Sequence, residues 1–213
     1  MRTRTLLVAL LTWFPLVASA SPFTRTHGGF FVRLHQATLV SDDLPDRFIE
    51  PYTGFGLGVY AGIPLNEFFG LQTEATFSRR GGRVVVAEGG VRAEDTYRFD
   101  YFELASLLRF DFPVSTAAQV YLEGGIALAL VLDAEVEIIQ RDSYGYESNR
   151  RYASDYLESP EPCALLGGGL AFPVGQMGFQ VGLRYQWGLI DPVKEFPVEV
   201  RSRNLAIQFG MAF

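Results

Sequence analysis

Apolar and non-apolar residues alternate along most of this chain with period two, the spacing of a strand whose two faces meet different surroundings. Eight segments carry the pattern. Over residues 28–37, Phe30, Val32 and Leu34 alternate with Arg33 and His35. Over 53–63, Phe55, Leu57, Val59, Ala61 and Ile63 alternate with Tyr60 and a series of glycines. Over 68–78, Phe69, Leu71, Thr73, Ala75 and Phe77 oppose Gln72, Glu74, Thr76 and Ser78. Over 97–112, Phe102, Leu104, Leu108, Phe110 and Phe112 oppose Tyr101, Glu103, Arg109 and Asp111. Over 119–133, Val120, Leu122, Ile126, Leu128, Leu130 and Leu132 oppose Tyr121, Glu123, Ala127 and Ala129. Segments 163–172, 179–187 and 204–213 complete the set, the first of them alternating least clearly.

One face of nearly every segment is bulky and apolar; the other is glycine, alanine, polar or charged. A soluble barrel needs the reverse, with large apolar residues inside and charges outside. The bulky face is too uniformly apolar for water. Turning it to lipid and the small face inward resolves the conflict, and predicts an all-β, eight-stranded antiparallel up-and-down transmembrane barrel. Most segments match the ~9–11 residues that a tilted membrane strand requires.

The connections alternate in length. Residues 64–67, 113–118 and 173–178 are short and carry proline; 38–52, 79–96, 134–162 and 188–203 are long. Short periplasmic turns and long external loops follow this asymmetry in outer-membrane barrels, which predicts both termini on the periplasmic side. Segments 82–86 and 198–203 read as possible strand extensions. Aromatic residues gather at predicted strand ends: Phe68, Phe69, Phe110, Phe112, Phe172, Phe179 and Phe213 at one, Tyr52, Phe55, Phe77, Phe99, Tyr185 and Trp187 at the other. Two girdles at the headgroup levels are expected from that placement.

The first twenty residues read as a secretory signal, leaving 21–213 as the barrel domain. Arg2 and Arg4 precede an apolar run of 12 residues, Leu6 to Val17, and Ala18-Ser19-Ala20 is a small-residue cleavage site with scission after Ala20. The run is too short for the ~20 residues of a spanning helix. Without Arg2 and Arg4, 16 basic residues stand against 24 acidic ones, a net charge near −8. This argues against nucleic acid as a partner. The single cysteine, Cys163, reads as a small packed residue.

The stretch TGFGLGVYAGIPLNEFFGLQTEATFSRRGG resembles the second and third strands of the PorT-like outer-membrane β-barrel domain family. YFELASLLRFDFP, followed by VYLEGGIALALVL, is similar to that family's Tyr-x-Glu-x-Pro-Leu-Leu strand, with Ala105 or Ser106 where the family has proline. The resemblance implies a fold and an outer-membrane location and little about activity; a few family members are linked to protein secretion machinery. The last strand also resembles the assembly signal of outer-membrane proteins: Leu205, Ile207, Phe209, Met211 and Phe213 alternate to the end. Such a signal is read by the barrel-assembly machinery through strand addition.

Charged residues on the inward face are the first candidates for chemistry: Arg33, Glu74, Glu103, Arg109, Glu123 and Arg184. A turn near Thr116 would set Arg109 opposite Glu123. Buried charges must be paired, so these six predict a salt-bridge plug; an ion path or proton relay is the functional alternative. Eight strands leave no open channel, which favours the plug. Nucleophile-elbow, zinc-protease and thiol-redox motifs are absent from the sequence, and neither cofactor nor metal is expected. Gly56-Leu57-Gly58-Val59-Tyr60-Ala61 matches a dinucleotide fingerprint but lies within a strand and opens no helix. His35 precedes Ser41, Asp42, Asp43 and Asp46, a grouping read as a solvated acidic loop rather than a catalytic set. Tyr144, Tyr146, Tyr152 and Tyr156 among small polar residues suit 134–162 to binding an extracellular ligand, with a mobile loop or an extension of strands five and six as the alternatives. The expected role is structural or adhesive, with outer-membrane lipid as the surroundings. An outer-membrane lipid-modifying enzyme, a narrow pore or secretion accessory, and a soluble lipocalin-like barrel are the alternatives.

Overall fold

The computed structural model describes residues 26–40, 49–88, 91–141, 145, 147–153, 160–190 and 201–213. Nine strand segments follow one another: β1 (His27–Val40), β2 (Ile49–Pro64), β3 (Phe69–Glu88), β4 (Val91–Ser115), β5 (Ala118–Arg141), β6 (Glu147–Ala153), β7 (Glu161–Val174), β8 (Met177–Gly188) and β9 (Arg201–Ala212). β6 and β7 both pair with β5, at its outer and inner halves, so together they form the sixth of eight barrel strands. Every neighbour pairs antiparallel, and β1 pairs with β9 from Gly29↔Ala212 to Val40↔Arg201, closing the sheet. No described helix is long and apolar enough to cross a membrane.

The alternation in the sequence fixes which way each strand faces. Leu183, Leu57 and Ile207 are 57%, 53% and 45% exposed, whereas Glu74 and Arg109 are 4% and 3% exposed. Bulky apolar groups therefore cover the outside and ionic groups fill the inside. An apolar surface of this extent belongs in lipid, because water would drive it to aggregate.

Three tight turns join β2 to β3, β4 to β5 and β7 to β8 at one end. In the first, Asn66 Oδ1 accepts from the amides of Phe68 and Phe69 at 2.8 and 2.9 Å. In the third, Gly175 adopts a φ of 63°, which an L side chain would resist. Phe69 stacks on Phe110 at 5.8 Å at this end, and Tyr185 lies 5.7 Å from Trp187 toward the other.

The structure corrects two expectations. Residues 79–96 are not a loop: Arg79 to Glu88 pair with Asp100 to Val91 in an unbroken ladder, since Val84, Val85 and the flanking charges suit paired, solvated strands. Within residues 134–162 the strand-extension reading holds for Glu135 to Arg141, which pair with Ala153 to Glu147. The second correction is that Phe99 belongs to no outer girdle. It is buried in the lumen against Tyr101 and Tyr97, because it keeps the inward phase of Tyr101 and Glu103. A bulge accompanies this region: Tyr101 faces Val131, Asp100 faces Asp133, and Leu132 has no opposite residue. The phase of β5 shifts there, so that Ala134 rather than Asp133 follows Val131 inward.

The predicted extension at 82–86 is part of β3, and 201–203 is part of β9. The signal segment 1–20, Ser41 with Asp42, Asp43 and Asp46, residues 198–200, and Tyr144, Tyr146 and Tyr156 lie outside the described residues.

The orientation makes a direct prediction. Leu183 sits midway along the lipid-facing row from Phe179 to Trp187. Leu183→Arg should lower the free energy of unfolding by about 2–4 kcal/mol, the cost of a cation at mid-bilayer, in reversible denaturant titrations from lipid vesicles. An effect below about 0.5 kcal/mol would place this side chain in water instead.

Candidate functional site

The inward faces of the strands meet in a lumen packed with paired charge. Glycine makes the space. A side chain at Gly182 or Gly169 would collide with the Tyr121 hydroxyl and the neighbouring backbone, so Tyr121 can lie across the barrel only because β7 and β8 present bare backbone there. Phe31 leans over Gly58 in the same way.

Three tiers follow along the axis. At the end with the tight turns, Arg109 on β4 binds Asp111, with Nη2 to Oδ1 at 3.0 Å, and its Nη1 donates to Gln180 Oε1 at 2.6 Å. Its guanidinium also lies 4.0 Å above the Tyr121 ring. In the middle tier, Glu74 on β3 receives Arg33 from β1 at 2.6 Å and Arg184 from β8 at 2.5 Å. Arg184 also donates through Nε and Nη2 to Glu123 Oε1 at 2.8 and 2.5 Å. Gln72 donates to Glu74 at 2.7 Å, and Arg33 Nε donates to Gln208 at 2.8 Å. In the outer tier, Glu103 accepts from Ser78 at 2.5 Å, from Gln186 at 3.0 Å and from Arg80. His35 Nε2 donates to the Arg79 carbonyl at 2.7 Å, and Ser202 donates to Glu161.

All six inward charges singled out by the sequence are buried in this lumen. Arg33, Glu74, Glu123 and Arg184 form one cluster, while Glu103 and Arg109 anchor separate tiers. Arg109 does face Glu123 in the register of β4 and β5. Its guanidinium nevertheless binds Asp111 two residues along, and Glu123 Oε1 goes to Arg184.

Sequence reasoning missed Arg80 and Glu161, both assigned to loops, and the glutamines Gln72, Gln180, Gln186 and Gln208. The available signal for Arg80 was the even-numbered inward series 72, 74, 76, 78, which simply continues. For the glutamines it was their place on the polar face of a strand. His35 points into the lumen and is 3% exposed. Among the described residues no group of three or more His, Cys, Asp or Glu is placed to hold a metal ion. In the last strand, Leu205, Ile207, Phe209 and Phe213 face outward, Met211 is half-buried, and the Phe213 amide donates to the Gly28 carbonyl at 2.9 Å.

The chemistry of such a lumen is chiefly self-satisfaction. Each guanidinium meets carboxylate or amide oxygens with charge-assisted geometry, and the carboxylates accept several donors. Among the described residues, single side-chain atoms of Tyr60, Arg80, Gln119, Glu123, Glu161, Gln180, Asn204 and Gln208 are buried without a hydrogen-bond partner.

The model of a family described as outer membrane protein beta-barrel domain matches residues 25–193. The match is to barrels of this kind in general and does not single out the PorT-like group. No curated protein matches. Among solved structures, the chain is similar to Neisserial surface protein A, with 17% identity, 87% of this chain and 97% of that one covered, and a TM-score of 0.48. It is also similar to Ail, the attachment invasion locus protein of Yersinia pestis, solved with the heparin analogue sucrose octasulfate. There the identity is 15%, coverage 89% and 99%, and the TM-score 0.43. The outer membrane enzyme PagL shares 14% identity, with 84% and 97% covered and a TM-score of 0.45.

Removing the shared cation should expose the cost of this arrangement. Arg184→Met leaves Glu74 and Glu123 short of a partner inside the barrel, and should destabilise it by about 3–5 kcal/mol. Combining it with Glu74→Gln should cost less than the two single changes together. Additive losses in equilibrium unfolding would mean that the pair is not coupled.

Proposed function

The chain belongs to the outer membrane protein β-barrel domain family, and from that premise we propose a structural or adhesive barrel with a plugged lumen and an external sheet for contact. It is an integral protein of the bacterial outer membrane, and lipid is its surroundings. The observation that carries the proposal is the contrast between its two ends. Inside, among the described residues, four arginines and four glutamates are buried. Outside, β3, β4 and β5 run to 20, 25 and 24 residues, roughly twice the ~9–11 that a bilayer needs. A chain built to conduct would keep its lumen open; this one spends its extra length beyond the membrane.

In this reading both termini are periplasmic, with the three tight turns. Residues 1–20 are a signal cleaved after Ala20. Leu205, Ile207, Phe209, Met211 and Phe213 are the signal read by the barrel-assembly machinery. The outer part of 134–162, with the β5–β6 hairpin, offers the contact surface for an extracellular ligand. We assign no catalytic group, cofactor or metal. Against a lipid-modifying enzyme stands His35, whose ring is turned into the lumen and engaged by a backbone carbonyl, away from lipid in the outer leaflet.

Labelling of intact cells tests the orientation. The one native thiol, Cys163, is buried, so single engineered cysteines report cleanly. Arg201→Cys, at the exposed outer end of β9, should react with a membrane-impermeant maleimide on whole cells, and Glu67→Cys, in a tight turn, only after permeabilisation. The reverse pattern would invert the barrel. In planar bilayers the purified protein should give no single-channel steps; regular steps would favour the pore reading.

A further inference from the structure

The outer tier of the lumen holds a small cavity, lined largely by charged and amide side chains, with room for one water-sized molecule. Arg33, His35, Arg80, Glu103, Gln186 and Asn204 are among its walls. Two of these lining residues each carry a buried polar atom with no hydrogen-bond partner among the described residues, Nε of Arg80 and Oδ1 of Asn204. The first can only donate and the second can only accept. Arg80 and Asn204 are 4% and 5% exposed, so bulk solvent does not serve them. Buried polar groups in folded proteins are almost always paired, to protein or to ordered water.

Charge decides what can enter. The guanidiniums at the cavity are those of Arg33, Arg80 and Arg184, and they bind Glu74, Glu103 and Glu123. Three positive groups are thus already matched by three negative ones. An anion would add uncompensated charge and meet the Asn204 oxygen. A cation would meet three guanidiniums. The remaining class is a small neutral molecule that accepts on one side and donates on the other.

We propose that this cavity is a binding site for a single structural water, which accepts from Arg80 Nε–H and donates to Asn204 Oδ1. The site has a mechanical consequence. Arg80, Glu103 and Gln186 tie together β3, β4 and β8, while Asn204 stands on β9, the strand that closes the barrel on β1. The water links the outer tier of the plug to that closing strand.

Nuclear magnetic resonance on the full barrel refolded in micelles provides the test. In the wild type, cross-relaxation from water to the Arg80 Nε proton and to the Asn204 side-chain amide should carry the sign of a molecule resident for longer than a nanosecond. Asn204→Leu should reduce the Arg80 signal to baseline. Absence of the wild-type signal at both groups would overturn the proposal, even if Asn204→Leu fails to fold. So would a shift of the Arg80 Nε resonance when chloride is exchanged for a larger anion, which would mark a halide site instead.

Discussion

Lipid offers no hydrogen-bond partner to a peptide group, and the rest of this structure depends on how that constraint is met. An open sheet would leave the outer edges of β1 and β9 unpaired in hydrocarbon, at several kcal/mol per group. Closure through the β1–β9 ladder removes both edges. Once the sheet is closed, the apolar face has to be the outer one and the inner face has to fill itself. The barrel is therefore inverted relative to a soluble protein: most of its large aliphatic residues solvate in lipid, and its interior packs paired charges together with buried aromatics such as Phe31, Tyr60, Phe99 and Tyr121.

A polar interior must be satisfied more completely than an apolar one, because each unpaired group is expensive at low dielectric. The lumen meets much of this demand with shared acceptors. Glu74 serves Arg33, Arg184 and Gln72 together, and Gln72, which donates to Glu74 and accepts from Arg109, joins two charged groups that do not touch. Glycine matters as much as charge. Without the bare backbone of Gly169 and Gly182 the Tyr121 ring could not cross the barrel, and Arg109 would lose the aromatic surface on which it lies.

Much of this was legible in the chain. Period two gave the strands, and the unusual pairing of a greasy face with a small ionic one gave their orientation. Arg33, Glu74 and Arg184 could be placed inside from phase alone. Their partners could not, because partnership across the lumen depends on register and tilt, which no single strand encodes. Asp111 illustrates the point: it shares the inward phase of Arg109 and reaches it along the strand, while the directly opposed Glu123 turns to another arginine. The bulge at Leu132 was invisible for a different reason, since Leu130, Leu132 and Asp133 read as an ordinary strand ending in a loop. Arg80 was misplaced because charge and glycine around 79–83 imitate a loop when backbone pairing cannot be seen, and Phe99 because its place at a predicted strand end was weighed above its inward phase.

The external sheet is held on different terms from the lumen. Arg83 pairs with Glu94 at 3.0 Å, Arg98 with Glu137 at 3.0 Å, and Arg79 with Asp100 at 2.7 Å, in positions reached by solvent. Pairs of that kind are worth at most about 1 kcal/mol each, so the ladder between β3, β4 and β5 owes its persistence chiefly to backbone pairing continued from the membrane below. Side chains on the outer strands can then change with little loss of stability, whereas a change in the lumen strands a buried charge. The architecture separates a rigid, charge-locked anchor from a tolerant external surface, and a surface free to vary is where recognition can be placed without endangering the fold.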